Sequence, residues 1–389
     1  DFVHVNPDDL ELEANNIGDN LHQIKKTLKN VEIKTSDEIL EAARQLDEFQ
    51  KKVLHVGIKF AQDLIIAKKG KLPFPIAPLQ MVHGGAGSGK STVIEVMCQY
   101  IHHILRKEGD DPDCPYVVLS AYTGGAASNI NGQTLHTLFC FTFESGYRSL
   151  SDKKRDLLRS LYKNLKVLII DEIFLVDADM LYKIDLRLRE ITQKDMQFGN
   201  VAIFALGDIM QIKPTKGRYI MQCPVTKQFW ITYELDSLWY KFECIILENN
   251  HRQGDDRHYA NMLNRIRIGQ ETDEDIQELN TRVRKESHPD IKRETDALYI
   301  FGTNKNVNKL NNRRLKALKS KETIIPAICI HKTIKHFKPY VDDKGNIGTT
   351  PFQKELKVKI GAKVMLTFNV DVSDGLSNGA RGELIGIVE

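Results

Sequence analysis

Apolar residues recur at intervals of three and four from Ser36 to Lys69, in SDEILEAARQLDEFQKKVLHVGIKFAQDLIIAKK, which predicts one amphipathic helix capped by Ser36. The stretch ahead of it, DFVHVNPDDLELEANNIGDN, is acidic and has no sustained period, so a lead-in arm is expected. The helical pattern stops at KGKLPFPIAP, where Pro73, Pro75 and Pro78 mark a linker. Beyond the linker the pattern becomes short apolar runs bounded by polar turns: PLQMVH, YVVLSAY, LKVLIIDE and VAIFALGD. Between them STVIEVMCQYIHHILRK places Val93, Met97, Ile101 and Ile104 on one helical face. Runs without alternation are strands buried on both faces, and strands alternating with helices predict a doubly wound α/β domain with a parallel sheet. A second series at ECIILENN and ALYIFGTN predicts another α/β unit, and no internal repeat or low-complexity tract interrupts the chain.

Composition narrows the class only in part. At 389 residues, 41% apolar and 28% charged, the chain can bury two or three cores. Its 55 Lys and Arg nearly cancel 52 Asp and Glu, so any nucleic-acid partner must be argued locally. Six well-separated cysteines without a Cys-x-x-Cys pair predict a reduced, intracellular protein and no zinc site. No apolar run approaches ~18 residues, so no membrane span is expected. The chain starts at Asp1 without a methionine or a leader pattern, and is expected to be a piece of something longer.

The candidate chemistry begins at GGAGSGKST, Gly84 to Thr92. Gly84-x-x-x-x-Gly89-Lys90-Ser91 has the P-loop spacing, follows a predicted strand and opens a predicted helix. In such a loop Gly85, Ala86, Gly87, Ser88, Gly89, Lys90, Ser91 and Thr92 wrap nucleotide phosphates with backbone N–H groups and a helix N-terminus. Lys90 reaches the terminal phosphates, and the Ser91 hydroxyl takes a Mg2+ position. LKVLIIDE supplies the carboxylates: Asp171 holds Mg2+ through water, and Glu172 polarises the attacking water, unless the pair merely caps the next helix. A guanine reader is absent, because Asn304-Lys305-Asn306-Val307 has valine where Asn-Lys-x-Asp needs a carboxylate.

The ordered motifs GGAGSGKST, AYTGGAASNINGQTLHTLF, LIIDEIFLVD, LGDIMQIKP, NNHRQ, LNRIRIGQ and VKIGAKVML with GLSNGARG resemble the superfamily-one DNA helicases of the PIF and RecD/Dda branch. The resemblance runs from about Gln50 to the last residue. GGAGSGKST and GLSNGARG are also similar to the helicase part of Helitron-type transposases, although the adjacent His102-His103 is not the His-x-His of their nuclease.

The helicase resemblance implies a P-loop NTPase with two RecA-like motor domains. The lead-in arm and helix start would cover 1–48, the first domain 49–245, and the second 246–389 with a small β insert beginning near 355. The second is expected to be incomplete, since no Thr-x-His-Lys-x-Gln-Gly-like segment or Ser-Arg motif follows GARGELIGIVE. The implied activity is ATP-dependent, 5′-to-3′ translocation on single-stranded DNA, unwinding forked duplex DNA. The implied setting is DNA repair and recombination in the nucleus or mitochondrion. A nucleotide-dependent DNA-binding module without turnover is the alternative.

Site roles carried by the resemblance follow residue by residue. Gln50 would read the adenine edge, or simply be solvated on its helix, and Gln211 would sense the terminal phosphate, or be a buried structural amide. Arg252 would reach across from the second domain as an arginine finger, or form a surface ion pair. Thr123, Gly124 and Gly125, with Thr134 and His136, would line the DNA track, as would Thr303 and Asn304 of the second domain. His136 reads equally as a core histidine. In the insert at about 140–164, Phe141, Phe143 and Tyr147 precede Lys153, Lys154 and Arg155, and would either wedge a duplex or pack into the core.

Overall fold

The computed structural model describes residues 34–141, 146–214, 217–232, 237–254, 256–284, 298–326, 354–367, 374–376 and 379–387. The chain divides into two compact units, Asp1–Glu271 with Asp371–Gly375, and Thr272–Val370 with Leu376–Glu389.

The expected first helix is two helices, α1 (Ser36–Gln45) and α2 (Glu48–Gly70). Thr35, rather than Ser36, caps α1. The apolar period runs on through Leu46–Asp47, but Asp47 takes a different partner: its carboxylate accepts from Gln50 N at 2.8 Å, and Gln50 Oε1 accepts from Asp47 N at 3.0 Å. This reciprocal capping box satisfies two backbone donors locally and starts a new helix where periodicity alone would continue the old one.

The sheet of the first unit is built from β1 (Leu79–Gly84), β2 (Val117–Ala121), β3 (Gln133–Thr134), β4 (Val167–Asp171), β5 (Ala202–Gly207) and β6 (Glu243–Leu247), in the order β3-β2-β4-β5-β1-β6. All its pairings are parallel. The connecting helices are α3 (Lys90–Leu105), α4 (Gly124–Asn129), α5 (Leu135–Phe139), α6 (Asp152–Leu161), α7 (Ala178–Thr192) and α8 (Lys227–Thr232), and α9 (Arg257–Arg267) follows β6. Every residue of β4 and β5 is buried, because each strand is covered on both faces. Val167, Ile169, Phe204 and Leu206 join one core with Val53, Leu54 and Phe60 of α2 and Val93, Met97 and Ile101 of α3. Leu168, Ile170, Ile203 and Ala205 join the other, with Leu181, Ile184 and Leu188 of α7.

Two sequence expectations change here. ECIILENN does not open a second domain: as β6 it pairs with β1, Gln80 beside Glu243 through Gly84 beside Leu247, and the first unit continues to Glu271 rather than ending at 245. ALYIFGTN forms no strand among its described residues, where Leu298 and Ile300 are exposed. The second unit contains α10 (Asp273–Asn280), α11 (Asn304–Ala317), and two antiparallel pairs, β7 (Thr323–Pro326) with β8 (Glu355–Val358) and β9 (Lys363–Met365) with β10 (Arg381–Glu383). Its described residues hold no parallel sheet.

In the last turn of α3, the His102 ring is hydrogen-bonded at the Val117 backbone, and burial pushes it down to about 4 from its ordinary 6.5. A base with a depressed folded value contributes stability that is present above pH 6.5 and lost as pH falls toward 4, because the unfolded chain takes up the proton first. Urea unfolding should therefore show His102 costing on the order of 3 kcal/mol across that window, with His102→Gln flattening the slope. An unchanged slope in the variant would contradict this.

Candidate active site

The loops that leave β1, β4, β5 and β6 open at one edge of the sheet, the carboxyl ends of parallel strands where α/β folds place their ligands. After β1 the chain turns through Gly87 (φ 84°) and Gly89 (φ 76°), left-handed positions suited to glycine, and enters α3 with no side-chain cap on its first turn. The first N–H groups of this helix are thus left for an anion. Lys90 Nζ donates to Gly84 O at 2.8 Å and Gly85 O at 3.1 Å, so its ammonium is held at the loop. Ser88 Oγ is buried without a hydrogen-bond partner, packed where a Cβ on Gly84 would stand.

Facing the loop, β4 ends in Asp171. Burial, and then the charge of Glu172, push this carboxyl up to about 6, and its Oδ1 has no hydrogen-bond partner. A cation there would relieve both costs. Glu172 adopts φ 52°, ψ 45°, a left-handed conformation worth on the order of 1 kcal/mol of strain, which turns the chain sharply out of the strand. Burial lowers the Lys90 ammonium, opposed by the charges of Glu172, Asp171 and Asp208 and reinforced by Arg252. The charges therefore converge on one point. With the glycine cradle, the Ser91 hydroxyl beside Lys90 and the orphan Asp171 oxygen, the donor set fits a magnesium-bound nucleoside triphosphate.

The segment leaving β6 crosses the loop as a strap. Asn250 Nδ2 donates to Ala86 O at 3.3 Å, and His251 N donates to Gly87 O at 2.7 Å. A Cβ on Gly87 would lie 2.5 Å from Arg252 Cβ and 2.8 Å from Asn250 Oδ1. Arg252 is thus part of the first unit and already beside the P-loop, which corrects the expectation that it approaches from a second domain. Gln50, which is buried rather than solvated, donates from Nε2 to Ser88 O at 3.3 Å and blocks any side chain at Gly89. Asp47 ties helix to strap. His251 Nε2 lies 2.9 Å from its carboxylate, and although burial pushes Asp47 up, hydrogen bonds from Gln50 N, Asn249 and His251 hold it below the usual carboxylate range.

A second buried carboxylate, Asp208, follows β5. Arg267 of α9 donates to it through Nε at 3.1 Å and through a second nitrogen, and lies 3.2 Å from His83 Nε2. Sequence reasoning assigned no role to Asp47, Asn250, His251, Asp208 or Arg267. The Asp-x-x-Gln pattern of DEFQ was the one available signal, for Asp47. Gln211 is exposed on the loop after β5, its N–H donating to Asp208 O at 3.1 Å, so it is not a buried structural amide. Ser91 and Thr92 are exposed at the start of α3.

The residues expected along a DNA track lie after β2 and β3. Thr123 caps α4, beginning at Gly124 and Gly125, and Thr134 caps α5 with its hydroxyl 2.9 Å from that of Thr137. The His136 ring sits edge-on to Tyr122 and Phe141 at 5.8 and 6.4 Å, and burial, with the Lys183 charge, lowers it. Thr303 and Asn304, at the start of α11, are exposed in the second unit. In the insert Arg187 lies over both the Phe141 and Tyr147 rings, at 5.4 and 5.0 Å, and pairs with Glu190 at 2.7 Å. Tyr147 also donates to Glu190, and both rings pack, partly buried, against the core, while Phe143 lies outside the described residues.

Comparison with known proteins agrees with this geometry. The PIF1-like helicase family matches residues 45–277, and the 2B domain of DNA helicase Pif1 matches 349–387. The chain is 28% identical over 323 residues to the ATP-dependent DNA helicase PIF1 of Saccharomyces cerevisiae, covering 79% of this chain and 33% of that protein. It is 29% identical to human PIF1 (78% and 43% covered) and 31% identical to the Pif1 of a Psychrobacter species (85% and 46% covered). The chain thus spans less than half of each of these three relatives. Among solved structures it is similar to Pif1 helicases coordinating at forked double-stranded DNA (25% identity, TM-score 0.58, 88% of this chain and 72% of that one). It is also similar to Bacteroides Pif1 in complex with ADP-AlF3 and single-stranded DNA (25%, 0.54, 84% and 70%).

Gly87→Ala tests the strap and cradle together. The added methyl group meets Arg252 and Asn250 in a left-handed backbone, so nucleotide affinity should fall at least about tenfold while the melt shifts by the equivalent of about 1–3 kcal/mol. A fluorescent-nucleotide titration giving the unmodified affinity would contradict the packing.

Proposed function

Because the chain belongs to the PIF1-like helicase family, we propose that it carries the ATP-hydrolysing machinery of a DNA helicase that translocates 5′-to-3′ on single-stranded DNA and opens forked duplexes. The observation that carries this reading is the convergence of Lys90, Asp171, Glu172 and Arg252 on the cradle of one unit. ATP binding would draw Lys90 from the Gly84 and Gly85 carbonyls to the phosphates. Ser91 and Asp171 would hold Mg2+, which when bound neutralises charge on the phosphate oxygens. Glu172 would orient and polarise the attacking water, Gln211 would report on the terminal phosphate, and Arg252 would stabilise charge in the transition state. The Gln50 amide, held at Asp47 N, Ser88 O and His251 Nε2, would read the adenine edge. Thr123, Gly124, Gly125, Thr134 and His136, with Thr303 and Asn304 of the second unit, would track the strand through phosphate contacts and stacking.

DNA-stimulated ATP hydrolysis tests this. Lys90→Ala should abolish turnover, because it removes the ammonium held at the Gly84 and Gly85 carbonyls. Glu172→Gln should keep nucleotide affinity within a few fold and lower kcat by about 10² or more. Arg252→Ala should lower kcat by about 10³ at similar nucleotide affinity. ATP binding without turnover in the unmodified chain would favour the binding-module alternative, and normal turnover in Lys90→Ala would end the P-loop reading.

A further inference from the structure

Three consecutive carbonyls of the loop are held from outside it: Ala86 O by Asn250 Nδ2, Gly87 O by His251 N and Ser88 O by Gln50 Nε2, at 3.3, 2.7 and 3.3 Å. No peptide bond among the described residues is cis, and in a trans peptide the C=O and the following N–H point in opposite directions. Fixing these carbonyls outward therefore turns the N–H groups of Gly87, Ser88 and Gly89 to the other side. Ser88 N–H closes the turn onto Gly85 O at 3.3 Å, which leaves Gly87 and Gly89 as the donors aimed at a phosphate.

Asn250 does a second thing with the same side chain. Its Oδ1 accepts from Arg252 N at 3.0 Å and Gln253 N at 3.4 Å, a local turn that sets the direction in which Arg252 leaves the strap. The amide orientation is fixed by its partners, since two N–H groups require the oxygen on one side and a carbonyl requires the nitrogen on the other. We propose that Asn250 is a positioning residue that orients the phosphate-binding amides through Ala86 and presents Arg252 to the same phosphates. This rests on the nucleotide reading above. The glycine at 87 supports the tightness of the arrangement, because even a Cβ would collide with Asn250 and Arg252.

The two roles separate by substitution. Asn250→Ser keeps a hydroxyl that can accept from the turn N–H groups but is too short to reach Ala86, whereas Asn250→Ala loses both. The readout is equilibrium binding of a fluorescent ADP with Mg2+ to the full chain, alone and with aluminium fluoride, whose adduct mimics the transferring phosphoryl group. Asn250→Ser should weaken ADP by about three- to tenfold, one hydrogen bond's worth, and retain the extra tightening by aluminium fluoride. Asn250→Ala should weaken ADP by the same factor and lose most of that tightening. Unchanged ADP affinity in both variants overturns the brace. An Asn250→Ala variant that tightens with aluminium fluoride as the unmodified chain does, or an unmodified chain that does not tighten at all, overturns the Arg252 half. Lys90→Ala is the control: if it binds ADP normally, the nucleotide reading itself fails, whereas weakened ADP in Lys90→Ala with normal Asn250 variants defeats only this inference.

Discussion

Parallel pairing of β6 with β1, in the register that sets Leu247 beside Gly84, is the constraint on which the site depends. Two parallel neighbours release their chains at the same edge, so the segment leaving β6 must run beside the loop leaving β1. The strap from Asn249 to Gln253 and its contacts with Ala86 and Gly87 follow from that register. The break between α1 and α2 completes the enclosure. Asp47 begins α2 where it can meet His251, and one turn later Gln50 meets Ser88. A short edge strand and a helix cap thereby bracket the phosphate loop from two directions.

Burial and charge then work against each other in a controlled way. Asp171 and Lys90 are both taken out of water, which penalises each charge, and each is partly compensated by the other. Asp208 is compensated differently, by a forked pair of hydrogen bonds from Arg267. That pair pins α9 to the end of β5, next to the loop that carries Gln211. Removing Arg267 would leave a buried carboxylate unpaired, and such a loss is far larger than that of a surface ion pair.

The strands were legible because a fully buried strand has no polar face to hide it: VLII, up to Asp171, and VAIFALG are apolar throughout. Lys90, Asp171 and Glu172 were legible because their chemistry depends on spacing from a strand end. Pairing partners were not, since ECIIL reads as a strand whichever sheet receives it, and assigning it to a second domain misplaced Arg252. Asn250 lies 164 residues from the loop carbonyl it holds, and nothing local marks it. The packing of the insert's aromatics was hidden for the same reason, because Arg187 and Glu190, which contact Phe141 and Tyr147, come from a helix about 40 residues further along the chain. At Asp47 the cap signature was present in DEFQ, but the apolar period on either side is continuous and masks the break.

Amide hydrogen exchange of the full chain with and without ADP and Mg2+ tests the central claim most directly, that one unit holds both the cradle and its arginine. If strap and loop form one hydrogen-bonded body, nucleotide should slow exchange in peptides covering 84–91 and 248–253 together, at the same nucleotide concentration. Protection of 84–91 with unchanged exchange at 248–253 would show that the strap is not part of the phosphate site, and would contradict the account.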